Sequence, residues 1–215
     1  MLAAIALYPG FTALDAIGPY QVLSLVPETE LVFTAVNAGP LRDDTMLTVQ
    51  IDRPISEIDR PDIVVVPGGL ATRKLLAGDP LIDWLRAVHP TTTWTTSVCT
   101  GSLLLAAAGL LDGLDATTHW LAEDALNALG AKYTHERVVC RGKIITAAGV
   151  SSGIDMGLVL ANAIAGPLVA QAIQLGIEYD PQPPFDAGSP KKASPEVVAL
   201  VRQIMGAAVT RVLFA

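Results

Sequence analysis

Apolar runs of strand length alternate along this chain with segments of helical period. Residues 2–7 (Leu-Ala-Ala-Ile-Ala-Leu) read as a strand, 13–25 as a helix and 30–36 as a second strand, with 48–51 as a short edge piece. Asp62-Ile63-Val64-Val65-Val66 is almost wholly β-branched and apolar, the mark of a central parallel strand covered on both faces, and Pro67-Gly68-Gly69 ends it abruptly. A helix is expected over 81–88 and a strand over 93–98. Leu103 to Ala108 then form a strong helix former that stops at Gly109. Residues 119–129 read as helical, 133–139 and 143–147 as strands around Arg141-Gly142, and 154–165 as helical again. This alternation without a linker predicts an α/β fold: a three-layer sandwich with a mostly parallel, doubly wound sheet.

The last part of the chain departs from that pattern. Residues 179–190 (Tyr-Asp-Pro-Gln-Pro-Pro-Phe-Asp-Ala-Gly-Ser-Pro) cannot build a helix or a central strand, so they are expected along the surface or against a partner subunit. Residues 194–213 read as a closing amphipathic helix with Ser194 as N-cap and Pro195 at its first position. The expected organisation is one domain over 1–215, with a Pro-rich segment at 178–193 and the closing helix after it.

Composition narrows the setting. Hydrophobic residues make up 51% of the 215 positions and charged ones 16%, which allows a sizeable core. A net charge of -7 argues against nucleic acid, whose phosphates require a basic face. Two distant cysteines, Cys99 and Cys140, suit a reducing cytosol rather than a disulfide framework. The first residues carry no basic leader, and apolar runs such as 103–111 are too short to span a bilayer, so neither a signal peptide nor a membrane segment is expected.

Cys99 is the leading chemical candidate because it falls on an expected strand-to-helix turn. Free backbone N–H groups and the positive end of a helix dipole favour a thiolate there, although most free cysteines are simply buried. Gly101 and Ser102 allow the turn to be sharp. In open α/β sheets, sites form at the carboxyl ends of strands, and three loops end there: 8–15, 67–70 and 97–100. Asp15 is the carboxylate of the first expected helix, among Leu14, Ala16 and Ile17. Burial there would raise its pKa and equip it to exchange protons, whereas an ordinary first-turn acid would do neither. Gly69 and Leu70 offer backbone N–H groups for developing negative charge. Thr100 offers a hydroxyl for water or substrate, or alternatively a helix cap. His119 could approach the thiol from another loop, while His89 and His135 read as surface residues and Cys140 as an inert, partly buried thiol. No cluster has metal-ligand spacing and no phosphate-binding glycine motif is present, so neither metal nor cofactor is expected.

Taken together, the Asp15 helix, residues 62–69, Ser97-Val98-Cys99-Thr100-Gly101, Ala116-Thr117-Thr118-His119 and residues 144–155 resemble the ThiJ/PfpI superfamily with its class I glutamine-amidotransferase-like fold. Val98-Cys99-Thr100-Gly101 with Thr117-Thr118-His119-Trp120 is similar to two of its branches, isocyanide hydratases and the sensor domains of AraC-type regulators. The stretch from Glu178-Tyr179 through Pro183-Pro184-Phe185 to Gly188-Ser189-Pro190 resembles the hydratase branch. That resemblance implies Cys99 as nucleophile, Asp15 as its acidic partner where the deglycase branch places a glutamate, and a homodimer with the site near the subunit contact. Thr100 stands where the protease-like branch has a histidine, which makes peptidase chemistry a poor third.

The resulting expectation is a cytoplasmic hydro-lyase that adds water to a small-molecule isocyanide through a Cys99 thioimidate, releasing an N-substituted formamide. Two alternatives belong to other classes. One is a free-standing ligand or redox sensor, for which the single helix expected after Pro190 leaves no room for a DNA-binding region. The other is a glyoxalase- or deglycase-like hydrolase of small dicarbonyls.

Overall fold

Strand β1 (Leu2–Ala6) lies in the interior of a seven-stranded sheet, as its residues after Leu2, apolar and wholly buried on both faces, require. The computed structural model describes residues 1–213, with side chains through Thr210. After β1 come α1 (Ala13–Leu23), β2 (Glu30–Ala35), a hairpin of β3 (Gly39–Arg42) and β4 (Thr48–Ile51), and the two-residue β5 (Arg53–Pro54). The chain then returns through β6 (Ile63–Val66), α2 (Thr72–Leu75), α3 (Pro80–Val88), β7 (Trp94–Val98) and α4 (Gly101–Ala107). It ends with β8 (Asp115–Ala116), α5 (Glu123–Ala128), β9 (Lys132–Tyr133), β10 (Val138–Arg141), β11 (Ile144–Ala147), α6 (Ser152–Gly176) and α7 (Pro195–Leu213).

The sheet order is β10-β11-β7-β6-β1-β2-β5, and every pair in it is parallel except β10 with β11. The expected α/β sandwich with a mostly parallel, doubly wound sheet is therefore the observed fold. From β1 the chain first builds outward through β2, then crosses back to place β6 on β1's other side. Strand order thus reverses between β1 and β6, and a crevice opens at their carboxyl ends. Helices α1 and α6 pack against each other, while α4 gathers α2, α3 and α5.

Local differences from the sequence reading have physical causes. Residues 48–51 do form a strand, but it pairs antiparallel with β3 as a separate hairpin rather than edging the main sheet. The stretch read as one strand over 133–139 divides, because Tyr133 pairs with Ala116 while Val138 pairs with Ala147. Helix α6 continues well past residue 165, interrupted at Gly166, whose φ of 83° lies outside the helical range just before Pro167. By length and composition α6 passes the test for a membrane-spanning helix. Its first half, however, buries Met156, Leu160 and Ala161, and the helix packs on α1. Ser194 caps α7 as expected, its Oγ accepting from the Val197 N–H at 3.4 Å.

Candidate active site at the carboxyl ends of the central strands

β7 ends at Val98, and Cys99 turns the chain into α4 with a left-handed φ of 56°, a conformation uncommon for a residue with a side chain. The turn is held from several directions. The Cys99 N–H donates to Ala147 O at 3.0 Å, and its carbonyl accepts from Thr118 Oγ1 at 3.0 Å and Ser102 Oγ at 3.1 Å. Gly101 is required by packing, since a Cβ there would lie 2.1 Å from Val66 O.

Asp15 reaches the same place from α1 and is wholly buried. Its Oδ2 accepts from the Gly68 N–H at 2.9 Å, and its Oδ1 is buried without a partner. Burial raises the carboxyl pKa to about 7, opposed by the Gly68 bond and by the Cys99 thiol beside it. The expectation of a buried acid with a raised pKa holds. Cys99 needs a correction: the turn was expected to favour the thiolate, yet burial and the neighbouring Asp15 push the thiol up. The Thr100 and Val150 N–H groups pull in the other direction without winning. Two acids this close ionise as a pair: the first proton leaves around pH 7, chiefly from Asp15, and the resulting carboxylate holds the second on Cys99.

The glycine turn 67–70 also behaves differently from the sequence reading. Gly68 spends its N–H on Asp15, and Gly69 donates to Thr100 Oγ1 at 3.0 Å, so Gly69 is not free to cradle a substrate anion. Of the two residues expected in that role, only Leu70 keeps an N–H without an acceptor among the described residues. The turn is fixed by contact, because a Cβ on Gly68 would stand 2.5 Å from Thr100 N and 2.9 Å from Asp15 Oδ2. Thr100 does not cap α4 with its side chain; its hydroxyl faces Gly69 and Thr72 instead.

His119 lines the site, and burial lowers its pKa, so the ring is neutral near pH 7. Its Nδ1 accepts from the Leu121 N–H at 3.3 Å, which leaves the proton on Nε2. The ring can therefore donate to a substrate but has no free nitrogen with which to act as a base. His89, read as a surface residue, is half-buried with Nδ1 against Thr95 Oγ1 at 2.9 Å, and Cys140 is exposed rather than partly buried.

Cys99, Thr100, Gly69, Leu70 and His119 all line one cavity of about 560 Å³, with Asp15 behind Cys99. Much of the rest of the lining is apolar: Leu121, Ala122 and Val150, with Met205 and Val209 from α7. Arg202 of α7 lies over the Trp120 ring, 5.1 Å from its centroid. Sequence reasoning missed Asp44, which lines the cavity, accepts from Thr12 Oγ1 at 2.7 Å and has its pKa raised by burial. It sits in the hairpin loop between β3 and β4, where no periodicity marks it. Among the described residues no group of three or more His, Cys, Asp and Glu is placed to hold a metal.

Known proteins share this fold. Isonitrile hydratase from Pseudomonas putida is 39% identical over 197 residues, which is 92% of this chain and 86% of that protein. The HTH-type transcriptional regulator CdhR of Pseudomonas aeruginosa is 30% identical over 171 residues, and the match takes in 76% of this chain and 51% of that protein. The crystal structure of a ThiJ/PfpI family protein from Pseudomonas syringae superposes with a TM-score of 0.91 at 32% identity, covering 98% of this chain and 88% of that one. Drosophila melanogaster DJ-1beta shares the fold at a TM-score of 0.75 and 22% identity, over 82% of this chain and 97% of that one. The DJ-1/PfpI family pattern matches residues 1–163, and the chain belongs to that family.

Proposed function

We propose that the protein hydrates isocyanides to N-substituted formamides. The observation that carries this reading is the buried Asp15–Cys99 pair, a carboxyl poised near pH 7 against a thiol, on the floor of a largely apolar cavity. The similarity to an isonitrile hydratase supports it.

The chemistry follows from where the single proton stands. Asp15 takes the Cys99 proton as the sulfur attacks the terminal carbon of the isocyanide, and then delivers that proton to the same carbon. The product is a thioimidate, R–N=CH–S–Cys99. The Asp15 carboxylate then takes a proton from water as the water oxygen bonds to the carbon, and passes it to the nitrogen. Collapse expels the thiolate, the hydroxyl proton returns to Asp15, and R–NH–CHO leaves. Hydration is redox-neutral, so no electron carrier enters the scheme. Among the residues around Cys99, Leu70 N–H and His119 Nε2–H are donors available to orient the substrate. The proposed assembly is a homodimer in the cytosol, and a solution mass equal to the 22.5 kDa of one chain, rather than twice that, would overturn the dimer.

Formamide production from cyclohexyl isocyanide tests the reaction. The wild-type protein is expected to turn over, and Cys99→Ser to lose on the order of a thousandfold or more. Full activity in Cys99→Ser removes the nucleophile assignment. A wild-type protein that yields no formamide while Cys99 alkylates rapidly points to a sensor, and lactate from methylglyoxal points to a dicarbonyl hydrolase.

A further inference from the structure

Three hydroxyls that the scheme above leaves unused, those of Tyr8, Thr72 and Thr100, form a chain that ends with Thr100 at the cavity. Tyr8 Oη lies 2.8 Å from Thr72 Oγ1, and Thr72 Oγ1 lies 2.8 Å from Thr100 Oγ1. Tyr8 and Thr72 are buried, and Thr100 is half-buried at the cavity. Each hydroxyl has one proton, so the backbone groups around them decide which way each points. Thr72 Oγ1 is 2.7 Å from Gly69 O, and a carbonyl only accepts, so the Thr72 proton goes there. Tyr8 Oη has a second acceptor in Pro67 O at 3.0 Å, and whether its proton goes there or to Thr72, Thr72 keeps a lone pair to which Thr100 donates. The alternative acceptor for the Thr100 proton is also Gly69 O, at 3.3 Å. In either arrangement the Thr100 proton is spent inside the protein. Thr100 Oγ1 already accepts from the Gly69 N–H, and what remains to it is one lone pair.

We infer that Thr72, backed by Tyr8, is a positioning residue that holds Thr100 as an acceptor toward the cavity, where its free lone pair binds one hydrogen of the water that hydrolyses the Cys99 adduct. The inference rests on the hydratase reading above. A water whose two hydrogens are held by two acceptors, Asp15 and Thr100, has a lone pair left to face the thioimidate carbon. A Thr100 hydroxyl free to turn would offer its proton instead, competing for the oxygen that must attack. The arrangement therefore serves the second step and not the first, since thiolate attack involves no water.

The test is rapid mixing of the full-length protein with cyclohexyl isocyanide, followed by intact-mass detection of the covalent adduct alongside formamide release. Thr72→Val is expected to form the adduct at the wild-type rate and to hydrolyse it about tenfold more slowly, the kinetic equivalent of one hydrogen bond, so the adduct accumulates. Thr72→Ser keeps the hydroxyl and restores hydrolysis. Tyr8→Phe, which removes only the outer link, slows hydrolysis about twofold, a fraction of that one bond. Thr72→Val with unchanged hydrolysis overturns the inference. So does equal slowing of both steps without accumulation, which would mean that the glycine turn and Asp15 had simply shifted. A wild-type protein that forms neither adduct nor formamide sinks the hydratase reading itself, a different result from an active wild type and an unaffected Thr72→Val.

Discussion

The floor of the cavity and its α7 wall are built by different rules. On the floor, the turns after β1, β6 and β7 interlock: Gly68 N–H serves Asp15, Gly69 N–H serves Thr100, and the Cys99 carbonyl is held by two hydroxyls. The wall contributes Met205, Gly206 and Val209 to the cavity, and Arg202 rests on Trp120. Much of the rest of α7 faces outward, with Leu200 and Ile204 more than half exposed. Reacting groups need placement to within fractions of an ångström, which crossed hydrogen bonds between strand ends can supply. A substituent on a substrate needs only apolar contact, and side chains on a helix face supply it loosely. Changes on the floor should therefore affect chemistry and stability for every substrate, whereas changes on the wall should sort substrates by shape.

The largest effect is expected at Asp15. Its folded-state pKa of about 7 lies above the ordinary 3.8, so folding favours the protonated carboxyl. Between about pH 4 and 7 the unfolded chain releases this proton while the folded protein keeps it. Stability therefore falls as the pH rises through that window, by up to ~4 kcal/mol. Asp15→Asn removes the charge and the slope with it, so thermal melts should show the variant gaining on wild type between pH 4 and pH 8. Its turnover should fall at least about a hundredfold with small and bulky isocyanides alike, because the proton carrier is gone. A gain in stability without loss of activity would break the division drawn here.

The smaller effect belongs to the wall. Met205→Ala should raise KM for cyclohexyl isocyanide about fivefold through lost apolar contact, while leaving kcat for a methyl-sized isocyanide and the melting temperature near wild type. Steady-state kinetics with the two substrates checks this. An equal fall in kcat for both would mean that α7 helps to place the chemistry, and that the wall is part of the floor's network.

Much of this was legible beforehand. The β-branched run 63–66 identified a central strand without any structure, because four apolar β-branched positions in a row suit a strand covered on both faces. The small residues around Cys99 announced its turn, and a lone carboxylate among Leu14, Ala16 and Ile17 announced burial at Asp15. The hairpin bearing Asp44 was only half legible: 48–51 showed as a strand, but its partner Gly39–Arg42, four residues with a glycine, a proline and an arginine, shows no period. The length of α6 stayed hidden because Gly166-Pro167 reads as a stop, whereas the apolar contacts beyond it resume the helix. Gly69 was misassigned because a glycine turn shows that N–H groups are available, not which acceptor claims them.

What the sequence determined by itself was the order of elements and the turn that carries Cys99, since periodicity and turn chemistry act over a few neighbouring residues, whereas the meeting of Asp15 with Cys99 needed the fold. The tertiary structure alone decided the ionisation of the pair and the direction of the Thr100 hydroxyl. Both depend on groups brought together from far along the chain: Gly68 on Asp15 across 53 positions, Thr72 on Thr100 across 28 and Tyr8 on Thr72 across 64. A pKa and a proton's direction are set by the dielectric and the acceptors within a few ångströms, and only the folded chain specifies which groups those are.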